Sequence, residues 1–147
     1  MKTLSAIALL AGLAACSGGG TDDTATANDA APAATPAEAT VAYASLTGNA
    51  GKGETLFLQC RACHTIEAGR NLLGPSLHGV VGRTAGQVPG FAYSAANKAS
   101  GIVWSEAAIF AFLESPQKTL PGTRMSYFGM KAPQDRADLI AYLKTLS

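Results

Sequence analysis

The stretch LFLQCRACH, residues 56–64, decides how this 147-residue chain is interpreted. Two residues separate Cys60 from Cys63, a spacing that occurs in redox disulfides, in half of a zinc site and in haem attachment. His64 follows the second cysteine directly, and Cys-x-x-Cys-His is the motif of covalent haem attachment. The stretch therefore predicts one haem c bound through Cys60 and Cys63, with His64 as an iron ligand.

The spacing of this motif has a chemical reason. The two thiols add across two vinyl groups along one edge of the porphyrin, and the short segment between them wraps that edge. The adjacent His64 is thereby delivered beneath the iron. A zinc site would need two further ligands at matching spacing, and His78 is the one histidine left to supply any. A thioredoxin-like dithiol would need a βαβ context, which the sequence lacks.

The chain before the motif has two parts of unlike composition. One lysine precedes an apolar run over residues 4–15, which is shorter than the roughly 20 residues that span a bilayer. The run is typical of a secretory signal peptide. It ends in LAAC, residues 13–16, which resembles the bacterial lipobox and implies lipidation at Cys16. Ordinary signal cleavage nearby, with no role for Cys16, is the alternative.

Residues 17–47 are rich in Ala, Thr, Pro and Gly and offer little that could pack. We interpret them as a flexible tether with a typical reach of roughly 30 Å. The predicted organisation is a signal peptide over 1–15, a lipidated Cys16 and tether over 16–47, and a globular domain over 48–147.

Charge is distributed unevenly between the tether and the domain. Residues 48–147 contain ten basic and six acidic side chains, and residues 17–47 contain four acidic ones. A mildly basic domain suits docking on acidic protein surfaces. Nucleic acid is not predicted as a partner, because no basic patch with interleaved aromatic residues occurs.

A six-coordinate iron needs a second axial ligand, which can be Met, His, Lys or a small molecule. The domain offers Met125, Met130 and His78. The pair Pro121-Gly122 shortly before Met125 favours a tight turn, which would let a loop fold across the haem face. From the residues alone, all three side chains stay candidates.

From residue 48 onward the chain resembles the class I cytochromes c, the group of mitochondrial cytochrome c and bacterial cytochrome c2. The resemblance rests on landmarks in matching order and spacing along nearly the whole domain: the Cys-x-x-Cys-His motif, GPSLHG (74–79), Gly82-Arg83, Phe91-x-Tyr93, Asn97-Lys98, GIVW (101–104), PGTRM (121–125) and DLIAYL (138–143).

The resemblance implies roles for individual residues. Met125 would be the sixth iron ligand, and Met130 matches a non-ligand position. The carbonyl of Pro75 would accept a hydrogen bond from the distal ring nitrogen of His64. The propionates of the haem would receive hydrogen bonds from Arg83, Tyr93 and Trp104, and Asn97 would belong to a buried polar network near Met125.

Two positions depart from the family pattern. Members commonly carry a tyrosine whose hydroxyl bonds the methionine sulfur, and Phe112 stands there in this chain. Loss of that hydrogen bond is expected to alter the potential and the iron–sulfur bond. Tyr127 stands where a phenylalanine often covers the exposed haem edge, so it adds a polar tip to an aromatic face.

The expected fold is all-α, the class I cytochrome c fold, with three main helices plus short helices and loops wrapped around one haem. Patterning predicts helices over 53–60, 107–114 and 134–145, a short helix near 94–98, and loops over 66–104. The family implies that the first and last helices cross near Gly53, Phe57, Leu139 and Tyr142.

The resemblance implies a one-electron carrier and not an enzyme. Ligation on both faces of the iron would block substrate, and a cytochrome bc-type complex would be the donor. A terminal oxidase or another haem enzyme would accept the electron in respiration or photosynthesis. We expect a monomer anchored at the periplasmic face, or alternatively soluble in the periplasm. The competing interpretations are a haem peroxidase or ligand-binding sensor, and a fixed cytochrome subunit of a larger oxidase.

Overall fold

The computed structural model describes residue 40 and residues 42–147. The predicted signal peptide, Cys16 and the tether as far as residue 39 lie outside the described residues. Residues 42–44 are helical. The further helices are α1 (Ala50–Phe57), α2 (Ala95–Ala99), α3 (Glu106–Glu114), α4 (Pro116–Thr119) and α5 (Pro133–Leu143).

The all-α class is confirmed. Within the described residues, β pairing is confined to one isolated antiparallel bridge between Thr84 and Val103. Loops make up most of the chain between residues 66 and 94, as expected from its turn-forming residues. In this same part of the chain, no helix combines the length and the hydropathy needed to cross a bilayer.

The first helix was predicted three residues out of place. It begins at Ala50 instead of Gly53 because the Asn49 side chain caps it by accepting a hydrogen bond from the amide of Lys52. It ends at Phe57 instead of Cys60 because the amides of Leu58, Gln59 and Cys60 bond carbonyls three residues back instead of four. The cysteine motif therefore lies in a turn that follows the helix.

The later helices lie close to their predicted positions. Ser105 caps α3 through the amide of Ala108, as its sequence position predicted. Ser94 caps α2 in the same way. Pro116 begins the separate short helix α4, where its fixed φ is favourable at the first turn. The last helix ends two residues before the predicted boundary.

The predicted crossing of the first and last helices is confirmed. A Cβ atom on Gly53 would lie 2.0 Å from the carbonyl oxygen of Asp138 and 2.8 Å from the Cβ of Tyr142. Glycine is therefore required for α1 and α5 to approach this closely. One turn further on, the rings of Phe57 and Tyr142 pack with centroids 5.4 Å apart.

The hydrophobic core lies between α1, α3 and α5. Its buried members come from these helices and from the segments beside them: Phe57, Val80, Ile109, Phe110, Leu113, Met130, Leu139, Ile140 and Leu143. Arg136 is 4% exposed and is stacked on Phe110, with its guanidinium carbon 4.2 Å from the ring centroid. This buried cation fixes the chain that precedes α5, because it donates to the carbonyls of Met130 and Lys131.

The predicted tether boundary at residue 47 needs correction. Tyr43 and Leu46 pack against the core, and the Tyr43 ring lies 5.6 Å from that of Phe110. The Tyr43 hydroxyl donates to Glu106, whose carboxylate also pairs with Lys144 at 2.9 Å. The Ala- and Thr-rich composition hid this contact, since one aromatic and one leucine side chain are enough to dock the segment.

Candidate functional site

The cysteine motif occupies a tight turn at the end of α1. The amide of His64 donates to the carbonyl of Cys60 at 2.9 Å, and the amide of Cys63 donates to the same carbonyl at 3.1 Å. Both cysteine thiols are free and partly buried. Helix α1 and its packing on α5 therefore fix where the two thiols and the histidine are presented.

The His64 ring is oriented by Pro75, as the family resemblance implied. Its Nδ1–H donates to the Pro75 carbonyl at 2.7 Å. This hydrogen bond fixes the tautomer, because Nε2 then keeps its lone pair. A hydrogen bond from the second ring nitrogen of a metal-ligating histidine is the usual way that the ligand is oriented and made more basic.

The protonation of His64 suits a metal ligand. Burial lowers the pKa of the imidazole below its ordinary value, and the hydrogen bond to Pro75 opposes this shift only in part. The ring is thus held neutral near pH 7, and neutral imidazole is the form that binds metal.

Gly74 allows the ring to occupy this position, a role that we did not predict. A Cβ atom at this residue would lie 2.4 Å from Cε1 of His64. The Gly74 amide donates to the Cys63 carbonyl at 2.8 Å, which closes the loop back onto the motif. The adjacent Gly74-Pro75 pair was visible in the sequence, but the contact depends on a chain reversal that spacing does not reveal.

The environment of Cys60 disfavours its thiolate. Burial, and secondly the neighbouring Cys63, raises the pKa of Cys60 to about 11. Zinc binding and disulfide exchange both use the thiolate. Within residues 40 and 42–147, no group of three or more His, Cys, Asp or Glu side chains is arranged to hold a metal ion.

Met125 lies in a loop that is held by its main chain. The side-chain amide of Gln117 donates to the Met125 carbonyl at 3.1 Å and to the Thr123 carbonyl at 3.4 Å. The Met125 amide donates to the Thr123 hydroxyl at 3.3 Å. These contacts hold the main chain of a segment that stays non-helical after Pro121-Gly122.

The structure separates the other two ligand candidates from Met125. Met130 is 7% exposed and belongs to the hydrophobic core, with its amide bonded to the Leu113 carbonyl. His78 is an exposed loop residue. Both locations agree with the expectation that neither side chain is the sixth ligand.

The three residues expected at the propionates lie in one region. Backbone hydrogen bonds of 2.9 Å join Trp104 to Arg83 and to Gly82. Arg83 and Tyr93 interact electrostatically, and burial raises the pKa of the Tyr93 hydroxyl. Arg83 also has a duty that we did not predict, because its guanidinium donates to the carbonyls of His78 and Ser76.

Asn97 provides a test of whether the site fits a bound group. Its side-chain oxygen is buried and lacks a hydrogen-bond partner. Such an atom costs free energy unless a ligand or an ordered water satisfies it. Asn97 lies in α2, against which the Met125 loop packs, since a Cβ on Gly122 would lie 3.0 Å from that of Ala96. The oxygen lies 3.6 Å from where a Cβ on Gly86 would stand, and a buried polar atom that lacks a partner fits a site built for a further group.

The two departures from the family pattern have clear surroundings. The Phe112 ring packs on Trp104 with centroids 4.9 Å apart, so this position is aromatic core without a hydroxyl. The Tyr127 hydroxyl donates to the side-chain oxygen of Gln59 at 3.0 Å. That contact joins the Met125 loop to the residue that precedes Cys60.

Comparisons with known proteins agree with this geometry. The sequence profile of the family Cytochrome c matches residues 50–147. Cytochrome c of Euglena viridis is 52% identical over 101 residues, covering 67% of this chain and 98% of the relative. Cytochrome c2 of Rhodopila globiformis is 54% identical over 100 residues, covering 67% and 94%.

A solved structure is also similar. Cytochrome cH from Methylobacterium extorquens superimposes with a TM-score of 0.64 at 45% identity. The match covers 67% of this chain and 99% of that protein.

Proposed function

The chain belongs to the cytochrome c family, and from this premise we propose that it carries single electrons through a haem ligated by His64 and Met125. Family membership makes it an electron-transfer protein, not an enzyme, with haem c attached to Cys60 and Cys63. The assignment of His64 as a ligand is carried by the hydrogen bond from its Nδ1 to the Pro75 carbonyl. His64 directly follows the cysteine pair in the chain.

Haem c, when bound, supplies an iron that gains and loses one electron. His64 would bind the iron of that haem through Nε2, the nitrogen that the Pro75 hydrogen bond leaves free. The Gly74 backbone against the imidazole prevents the ring from rotating away. These residues thus keep the same ligand in place whichever oxidation state the iron is in.

Met125 would bind the same iron through its sulfur. The hydrogen bonds from Gln117 and to Thr123 fix its main chain, so the side chain needs little ordering to reach the iron. A thioether ligand in apolar surroundings favours the reduced iron and raises the potential. Phe112, whose ring packs on Trp104, brings no hydroxyl to the position where the family resemblance implies one.

We place the protein at the periplasmic face of a bacterial membrane. The support for this is the lipobox-like end of the leader at Cys16 and the long Ala/Thr/Pro-rich segment that follows it. The proposed donor is a cytochrome bc-type quinol oxidoreductase, and the proposed acceptor is a terminal oxidase or another haem enzyme. The carrier acts as a monomer that reaches both partners from one anchor.

Electron delivery and anchoring can be tested together. The haem-loaded chain, in detergent, is mixed with a purified cytochrome bc-type complex and quinol, and its reduction is followed optically. A purified terminal oxidase is then added under oxygen. In parallel, native and Cys16→Ser chains are expressed in a Gram-negative host and assayed in the membrane and periplasmic fractions.

The proposal predicts quinol-dependent reduction followed by oxidation, and transfer of the Cys16→Ser chain from membrane to periplasm. A haem that is not reduced by the bc-type complex with quinol, although ascorbate reduces it readily, would contradict the proposed donor. Cytoplasmic retention, or an unchanged distribution of Cys16→Ser, would contradict the proposed location or anchor.

A further inference from the structure

The peptide group that orients His64 is itself held from its other side. Its carbonyl, from Pro75, accepts the hydrogen bond of His64 Nδ1 at 2.7 Å. Its amide, from Ser76, donates to the side-chain oxygen of Asn71 at 3.0 Å. The C=O and N–H of one planar trans peptide point in opposite directions. The Pro75–Ser76 peptide group therefore lies between the imidazole of His64 and the amide of Asn71.

A second hydrogen bond fixes the orientation of the Asn71 side chain. Its Nδ2 donates to the Pro89 carbonyl at 2.9 Å. A carbonyl can only accept and a backbone amide can only donate, so these two partners determine which end of the side chain is oxygen. Because both ends are used, Asn71 cannot turn its oxygen away from Ser76 without losing both hydrogen bonds.

Ser76 has little freedom to follow a moving histidine. It is 2% exposed, and each of its polar groups has a partner. Its hydroxyl donates to the Glu67 carbonyl at 2.7 Å, and its carbonyl accepts from the guanidinium of Arg83 at 2.9 Å. Of these contacts, the one from the Ser76 amide to Asn71 acts on the same peptide group that His64 uses.

We propose that Asn71 is a positioning residue that sets the orientation and the basicity of His64 through the Pro75–Ser76 peptide group. This inference rests on the proposed role of His64 as an iron ligand. Hydrogen bonds that follow one another in a chain polarise each other. When Asn71 accepts from the amide, the carbonyl of that peptide becomes a better acceptor for His64 Nδ1. A stronger hydrogen bond there makes the imidazole a more basic ligand, and a more basic ligand favours the oxidised iron.

The bond to Pro89 offers a purely structural alternative, in which Asn71 only ties two loops together. Two substitutions separate the alternatives because they keep different parts of the amide. Asn71→Leu removes both the acceptor and the donor. Asn71→Asp keeps an oxygen for the Ser76 amide, with a charge that strengthens this hydrogen bond, and loses the donor to Pro89.

Proton NMR of the oxidised, haem-loaded chain at pH 7 observes the affected hydrogen bond directly. The readouts are the hyperfine-shifted resonance of His64 Nδ1–H and its rate of exchange with solvent deuterium. The reduction potential and the melting temperature are recorded beside them. Native protein is compared with Asn71→Leu, with Asn71→Asp and with the control Asn49→Leu. The control removes the side-chain cap of α1, which lowers stability without contact to the Pro75–Ser76 peptide group.

The proposal predicts that Asn71→Leu shifts the Nδ1–H resonance, raises the reduction potential and speeds the exchange by about tenfold, the effect of one lost hydrogen bond. Asn71→Asp should exchange no faster than native protein. The exchange rate decides for this variant, because its new charge lowers the potential by itself. Asn49→Leu should melt at a lower temperature with the resonance, exchange rate and potential of native protein.

Three results would overturn the proposal. The first is native exchange and potential in Asn71→Leu. The second is equally fast exchange in Asn71→Asp and Asn71→Leu, which would reduce Asn71 to a tie between loops. The third is the same gain in exchange rate for Asn49→Leu, since exchange would then follow stability alone. If Asn71→Leu does not retain haem, Asn71→Ala takes its place with the same expectations.

The same spectra keep this inference apart from the proposed function. Hyperfine-shifted ring resonances of His64 in oxidised native protein would show that the ring binds the iron, whatever Asn71 does. Their absence would contradict the proposed ligand. Their presence, together with an Nδ1–H that is the same in native protein and in Asn71→Leu, would contradict only the role of Asn71.

Discussion

The two segments that present the predicted iron ligands are built differently. His64 lies in a turn in which its ring is hydrogen-bonded at 2.7 Å and pressed against the backbone of Gly74. The hydrogen bonds that hold Met125 are made by its main chain, and its neighbours Arg124 and Ser126 are exposed. The position of the His64 ring (the His64 side) is therefore fixed by the fold. The Met125 segment (the Met125 side) is a loop that is held by hydrogen bonds to its main chain.

Beyond the hydrogen bonds at Met125 itself, the loop is also held at its far end. At its far end Met130 is bonded to Leu113, and the buried Arg136 donates to the Met130 carbonyl at 2.8 Å. Local opening follows the number of buried contacts and protected hydrogen bonds. We thus expect the Met125 side to open before the His64 side under any mild stress.

Gly74→Ala should give the largest effect, because it adds a side chain where the backbone packs directly against the His64 ring. The new Cβ would lie 2.4 Å from the His64 ring, so the imidazole or the loop must move. We expect a loss of about 1–3 kcal/mol in the free energy of unfolding and poor haem incorporation. Denaturant unfolding and haem staining measure both.

Gly51→Ala is the matched control for this variant. A Cβ at Gly51, within α1, meets only the Asn49 side chain at 3.4 Å, and alanine is the better helix former. Stability should be unchanged or slightly raised. If Gly74→Ala has the same free energy of unfolding and haem incorporation as Gly51→Ala, then the fold does not fix the His64 ring against Gly74.

Gln117→Ala should weaken the Met125 side alone. It removes the hydrogen bonds to the carbonyls of Met125 and Thr123, worth about 0.5–1.5 kcal/mol together with the partners left unpaired. The sulfur-to-iron charge-transfer band of the oxidised protein should vanish at a lower denaturant concentration, while the histidine ligation stays. Gln87→Ala, at an exposed glutamine in another loop, should leave that concentration unchanged.

Tyr43→Phe tests the hydrogen bond by which the segment before α1 is docked on Glu106 of α3. The hydrogen bond from Tyr43, and secondly the one from Lys144, lowers the pKa of Glu106. A carboxyl with a depressed folded-state pKa stabilises the protein above its unfolded pKa, and this is lost as the pH falls through the folded one. The stability difference between native and Tyr43→Phe should be full at pH 7 and shrink below the ordinary pKa of glutamate.

The measurement is thermal unfolding of both chains over a series of pH values. Tyr142→Phe, at a tyrosine whose ring packs on Phe57, should show no such narrowing at acid pH. A difference for Tyr43→Phe that is independent of pH would mean that the Tyr43–Glu106 hydrogen bond contributes nothing through Glu106.

Phe112→Tyr should produce the smallest structural change and a spectroscopic one. The ring keeps its packing on Trp104 and adds a hydroxyl at the position where the family resemblance implies a hydrogen bond to the methionine sulfur. We expect a shifted reduction potential with a melting temperature within a few degrees of native. A potential identical to native would show that the hydroxyl does not reach the sulfur.

The helix positions and the Cys60–His64 spacing could be predicted because they depend on local pattern. The glycine at the α1–α5 crossing was predicted from the family resemblance, since it joins two distant helices. Three contacts were not predicted. They are the close approach of the Gly74 backbone to the His64 ring, the hydrogen bond from Gln117 to the Met125 carbonyl, and the packing of Tyr43 on Phe110. Each joins residues that only the folded chain brings together.

The measurement that tests the account most directly is the optical spectrum of the oxidised and reduced haem protein, native against Met125→Ala. Ligation by His64 and Met125 predicts a weak sulfur-to-iron charge-transfer band in oxidised native protein, which should be absent from the variant. It also predicts that reduced native protein does not bind carbon monoxide at neutral pH. A native spectrum without that band, a variant that keeps it, or ready binding of carbon monoxide would contradict ligation by His64 and Met125.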